Sequence, residues 1–133
     1  IYLEPFKSII LGDLQFTPVP LIHSKLTFGY LIENQMGHKI AYLTDTVGLP
    51  KDSLDFLSQS PLDALVIDCS HPPEVKGRNH NNLAQVLELA AHLQPKQTWL
   101  THLSHDMDRW LMQNRLPKHV EVAHDQHMLN FFD

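Results

Sequence analysis

The 133-residue sequence predicts an α/β domain, and three stretches carry that prediction. Asp63-Ala-Leu-Val-Ile-Asp68 is a continuous apolar run, the pattern of a strand buried on both faces. Leu83, Val86, Leu87, Ala90 and Ala91 recur at helical spacing within residues 82–92. Lys96-Gln-Thr-Trp-Leu-Thr101 then reads as the next strand. Strand, helix, strand in succession define one α/β unit, and no internal repeat, low-complexity tract or linker divides it.

The remaining elements follow in order. Residues 8–11 form a short strand, closed by the turn signal Gly12-Asp13. Residues 14–22 carry two prolines, which places them on an edge or in an extended approach to His23. Residues 27–33 and 38–44 are aromatic and β-branched, and they pair as a hairpin across residues 34–37. The second arm of the hairpin delivers Asp45, and the chain then turns through Gly48 and Pro50. Residues 52–58 are a short helix with Leu54 and Leu57 on one side. Asn81 is the expected N-cap of the 82–92 helix. Residues 106–114 form a last helix with Met107, Trp110 and Leu111 facing inward. Residues 119–123 and 126–132 close the domain as strands around a His124-Asp125 turn. A hairpin at the start argues against a doubly wound fold, in which strand and helix alternate from the beginning.

Composition bounds the function. The formal charge is −5, which disfavours a general nucleic-acid binder. A single cysteine, Cys69, excludes an internal disulfide and fits a reducing, cytoplasmic setting. No apolar run is long enough to span a bilayer, and no charged-then-apolar leader is present, so no membrane association is expected. Ten histidines are many for this length, and histidine is both the commonest metal ligand and the acid-base residue of neutral pH.

Four side chains fit one plan. Asp45 and His102 follow apolar strands, His23 follows the proline-containing segment, and His80 precedes the 82–92 helix. Strand ends at one rim are where open α/β sheets build their sites. Imidazole and carboxylate together suit zinc, manganese or iron, and a carboxylate bridges two ions. The same residues have plainer readings. Asp45 is also a turn-capping residue, and His102, with Ser104 and His105, is also an N-cap region. Asp68 lies within the apolar run and reads as a hydrogen-bond acceptor for a neighbouring loop. His71, Cys69, Trp99 and Trp110 read as structural.

Five segments occur together and in order: His23-Ser-Lys-Leu-Thr-Phe-Gly-Tyr30, Leu43-Thr-Asp-Thr-Val-Gly-Leu49, Asp68-Cys-Ser-His-Pro-Pro73, Arg78-Asn-His80 and Leu100-Thr-His-Leu-Ser-His105. Together they resemble the C-terminal half of the PhnP family, phosphoribosyl cyclic phosphodiesterases of phosphonate breakdown. That family has the metallo-β-lactamase fold and is close to the tRNA 3′-processing nucleases. The resemblance implies that residues 1–133 are one domain, the C-terminal βα half of an αβ/βα sandwich. It implies that His23, Asp45 and His102 ligate two divalent ions, Mn2+ or Zn2+, with Asp45 between them. His80 would act on the scissile phosphate, Arg78 would meet substrate phosphate, and His105 would help hold a separate structural zinc. The implied reaction is hydrolysis of 5-phosphoribosyl 1,2-cyclic phosphate to ribose 1,5-bisphosphate by hydroxide held on the metal pair. The implied partner is a small phosphorylated sugar, without nucleic acid or membrane, and the full-length protein would be a homodimer.

The family's His-x-His-x-Asp-His motif and its early cysteines do not occur in this sequence. The expectation is therefore a chain inactive alone, with the site completed and an apolar sheet face covered by further sequence. Two rival functions stand beside this one. A tRNA 3′-end nuclease is disfavoured by the acidic balance, and a non-catalytic scaffold is disfavoured by His23, Asp45, His80 and His102 occurring together.

Overall fold

The computed structural model describes residues 2–131. The elements are β1 (Ile9–Leu11), β2 (Leu14–Pro20), β3 (Phe28–Glu33), β4 (Lys39–Leu43), α1 (Lys51–Leu57), β5 (Ala64–Asp68), α2 (Leu83–Leu93), β6 (Gln97–Thr101), α3 (His105–Leu111) and β7 (Val120–Val122). The strands form one sheet in sequence order. Strands β1 to β4 are antiparallel, and β4 to β7 are parallel. This order differs from a doubly wound sheet, whose strand order reverses at the centre.

Register explains where the core lies. Thr17, Leu31, Ala41, Leu65, Thr98 and Val120 are successive partners across the sheet, and all are buried. Side chains alternate along a strand, so Leu43, Ile67 and Leu100 fall on the same face two residues on. Leu57 of α1, Leu83, Val86 and Leu93 of α2, and Met107 of α3 complete this core. The three helices therefore share one face. Tyr30, Tyr42, Val66 and Trp99 form the corresponding row on the other face. No helix among the described residues packs there, and Tyr42 is 44% exposed.

Three expectations are corrected. The N-cap of α2 is Asn82, not Asn81. The Asn82 side chain accepts from Gln85 N, and the Gln85 side chain accepts from Asn82 N, a reciprocal capping box. The stretch 126–132 forms no strand over its described part, residues 126–131, and Phe132 lies outside the described residues. His127 N donates to His124 O and turns the chain across the helix-free face. There the His127 ring meets Trp99 edge-on at 4.2 Å, and Phe131 stacks on His38. Apolar burial on an open sheet face replaces strand pairing. The predicted 106–114 helix is also shorter, ending at Leu111. No helix among the described residues is long and apolar enough to cross a membrane.

Candidate metal centre

Strand direction gathers the site. β4, β5 and β6 run parallel, so Asp45, Asp68 and His102 sit at or just past one edge. β2 is antiparallel to β3 and β3 to β4, so β2 also points to that edge, and it leads to His23. The loop before α2 brings His80 between them. The sequence plan for His23, Asp45, His80 and His102 thus converges in space.

Asp45 lies between two imidazoles. Its Oδ1 is 2.7 Å from His102 Nε2, and its Oδ2 is 4.0 Å from His23 Nε2. Oδ1 is buried yet has no partner with hydrogen-bond geometry, although His102 Nε2 is so near. Ligand atoms that face a common point rather than each other leave such orphans, and a buried unpaired carboxylate oxygen is costly. The His80 ring is 5.5 Å from the His23 ring and stacks on His102 at 5.8 Å. These donors are imidazole nitrogen and carboxylate oxygen, the set that suits divalent zinc or manganese. The residues present fit such ions.

An outer ring of hydrogen bonds sets two of the imidazoles. His23 Nδ1 lies 3.2 Å from Asn79 O, which only a protonated Nδ1 satisfies and which frees Nε2 toward Asp45. His80 Nδ1 is 2.8 Å from Asp68 Oδ2. Asp68 is completely buried. Its Oδ2 also accepts from Thr46 N, and its Oδ1 accepts from Asn81 Nδ2. Asp45, Asp68 and His80 each bring a ligand-capable atom within 4.8 Å of the others. The Asp68 oxygens are already filled by protein donors, so Asp68 acts on His80 rather than as a free ligand. The sequence reading of Asp68 as an acceptor holds, and its partner is the site itself.

Loop geometry supports the same edge. A side chain at Gly77 would collide with the His71 ring and the His80 carbonyl, so glycine lets this loop pack closely ahead of His80. His71 has the structural role expected of it, since its backbone bridges Asn81 and Leu83. His102 adopts φ 60°, a left-handed conformation that costs a non-glycine residue about 1 kcal/mol. Ser70 Oγ donates to His102 O at 2.7 Å, and Ser104 Oγ donates to Ser70 O, which braces that turn. Ser104 also caps α3 through Met107 N.

Arg78 is exposed two residues before His80. His105 is exposed on the first turn of α3, and among the described residues no second ligand cluster forms around it. Cys69 is buried, and burial, then the Asp68 charge, pushes its thiol up to about 12. Sequence reasoning missed Thr46 and misassigned Asn81. Both are fully buried polar residues beside the site.

A model of the beta-lactamase superfamily domain matches residues 3–103. A diphosphatase of the PhnP family, solved as a crystal structure, is 31% identical with a TM-score of 0.79; the match covers 96% of this chain and 47% of that one. YhfI from Bacillus subtilis, a metallo-beta-lactamase fold protein, is 21% identical with a TM-score of 0.75, over 92% of this chain and 52% of its own. The short form of human tRNase Z is 20% identical with a TM-score of 0.71, over 92% and 45%. No curated protein sequence matches the chain. The chain spans about half the length of these structures. The segments that resemble the PhnP family thus lie on a matching fold, and the chain belongs to the beta-lactamase superfamily.

Proposed function

We propose that the protein carrying this chain is a two-metal phosphodiesterase that opens a cyclic phosphodiester. The substrate in this reading is 5-phosphoribosyl 1,2-cyclic phosphate, and the product is ribose 1,5-bisphosphate. The observation that carries it is the Asp45 carboxylate, with one oxygen toward His23 and the other, orphaned, against His102. His23 would hold one ion, His102 the other, and Asp45 both. When bound, such ions polarise the phosphoryl group and supply hydroxide at neutral pH.

The chain's own part falls to His80. With Nδ1–H engaged by Asp68, its Nε2 is left for the phosphate, to which it would donate in the imidazolium form. In the reaction a water oxygen bonds to phosphorus and the bond from phosphorus to the ribose 2-oxygen breaks. That oxygen takes up a proton, which His80 in its imidazolium form would give from Nε2. Arg78, on the loop ahead of His80, is the proposed contact for the remote phosphate.

Three ligand residues shared by two ions are too few, because each ion takes four to six donors. We therefore expect further ligands from outside this chain, and no activity from these 133 residues alone. His105 would serve a separate zinc only with ligands supplied in the same way.

A second reading comes from the 31% identical relative, which is a diphosphatase. A P–O–P linkage presents the same charged, tetrahedral phosphorus to the same ligands. Turnover by the full-length protein, loaded with manganese or zinc, separates the readings. The expected result is rapid opening of the cyclic phosphate and little action on a dinucleoside diphosphate or a precursor tRNA. Cleavage of either of those with an untouched cyclic phosphate would overturn the proposal. Robust turnover by the isolated chain would contradict the shared site.

A further inference from the structure

The loop 79–81 meets every part of the site. The Asn79 carbonyl faces His23 Nδ1, and His80 itself rests on Asp68. Asn81 is the residue whose side chain reaches farthest. Its Oδ1 accepts from Gly48 N at 2.7 Å, in the turn that follows Asp45. Its Nδ2 donates to Asp68 Oδ1 at 2.9 Å and to Asp68 O at 3.1 Å. Asn81 is 0% exposed, and capping of α2 belongs to Asn82, so this amide is not spent on the helix. Both its amide hydrogens and its amide oxygen are engaged by the two loops that carry the site. Only a side chain with two donors and an acceptor at this length satisfies both.

We propose that Asn81 is a positioning residue that locks the metal-facing Asp45 turn and the phosphate-facing Asp68–His80 pair into one frame. This rests on the metal-centre reading given above. The two ends of the amide do different things. Oδ1 fixes the Asp45 turn, and Nδ2 fixes the Asp68 carboxylate that orients His80. Thr46 reinforces the frame from the other side, since its N donates to Asp68 while its Oγ1 accepts from Ile22 N beside His23.

Two substitutions in the full-length, zinc-loaded protein separate these ends. Asn81→Asp keeps an acceptor for Gly48 N and replaces the amide donor with an oxygen that repels the Asp68 carboxylate. It should lower kcat on the order of tenfold, leave KM and zinc content near wild type, and shift or broaden the His80 Nδ1–H resonance. Asn81→Ala loses both ends. It should in addition weaken zinc affinity on the order of tenfold. Val86→Ala, in the core under α2, is the stability control and should move none of these readouts below its melting temperature. Zinc affinity, the His80 resonance and kcat all unchanged in both variants would overturn the proposal. So would losses that merely follow melting temperature, as Val86→Ala would show. If the wild-type protein turns over no phosphate ester, the proposed substrate fails, while zinc affinity and the His80 resonance still decide the role of Asn81.

Discussion

His80 Nδ1 donates to Asp68 Oδ2 across 2.8 Å, and Asp68 has no exposed surface. A buried carboxylate fixes both the tautomer and the plane of the imidazole it accepts from. Asp68→Asn preserves shape but sets an amide opposite the ring, and one of its two orientations forces the other tautomer. The expected outcome is a fall in kcat of roughly ten- to a hundredfold with metal content retained. Steady-state kinetics and metal analysis of the full-length variant check this.

Asp45 is expected to be more severe. Asp45→Ala removes the carboxylate that lies between His23 and His102, so both proposed metal sites should weaken together. Activity should fall to background, and metal content should drop by more than one equivalent. Near-normal activity with full metal content would show that Asp45 caps the turn and nothing more.

Cys69 lies directly after Asp68, at the heart of the site's support, yet its thiol is pushed up to about 12 by burial and the neighbouring carboxylate. The thiolate is the reactive form. An alkylating reagent at pH 8 should therefore leave the native protein unlabelled and label it only after denaturation. Fast native labelling would mean that the end of β5 opens in solution.

Asp63 gives a pH-dependent term in stability. Burial alone would raise its pKa, but the Lys39 N–H and the Lys96 ammonium more than offset this and hold it below the ordinary carboxylate value. A lowered folded-state pKa means that the stabilisation is complete above about pH 4 and is lost as pH falls through the lowered value. Lys96 is largely exposed, so the contribution is under about 1 kcal/mol. Asp63→Asn should lower the melting temperature at pH 7 and have no such effect at the acid end of the titration.

Much of this was legible in the sequence because it is local. The apolar run ending at Asp68, the helical stripe of α2 and the 27–44 hairpin are set by periodicity over a few residues. His23, Asp45, His80 and His102 stood out as polar residues at the ends of such elements. What escaped depends on long-range pairing. Asn81 and Asn82 are adjacent and equally good caps by type, and only the fold sends one to Gly48, 33 residues away. Thr46 bonds locally only to Gly48 O, a turn contact, and the partners that tie it to the site, Ile22 and Asp68, are distant in sequence. The apolar content of residues 126–131 suits a strand equally well, but His127 and Phe131 pack on Trp99 and His38 instead of pairing.

Anomalous diffraction from crystals of the full-length protein grown with manganese or zinc tests the central claim most directly. Two peaks are expected flanking the Asp45 carboxylate, one ligated by His23 and the other by His102, with Asp68 on neither. A single peak, or a peak held by Asp68 and His80 with Asp45 free, would contradict it.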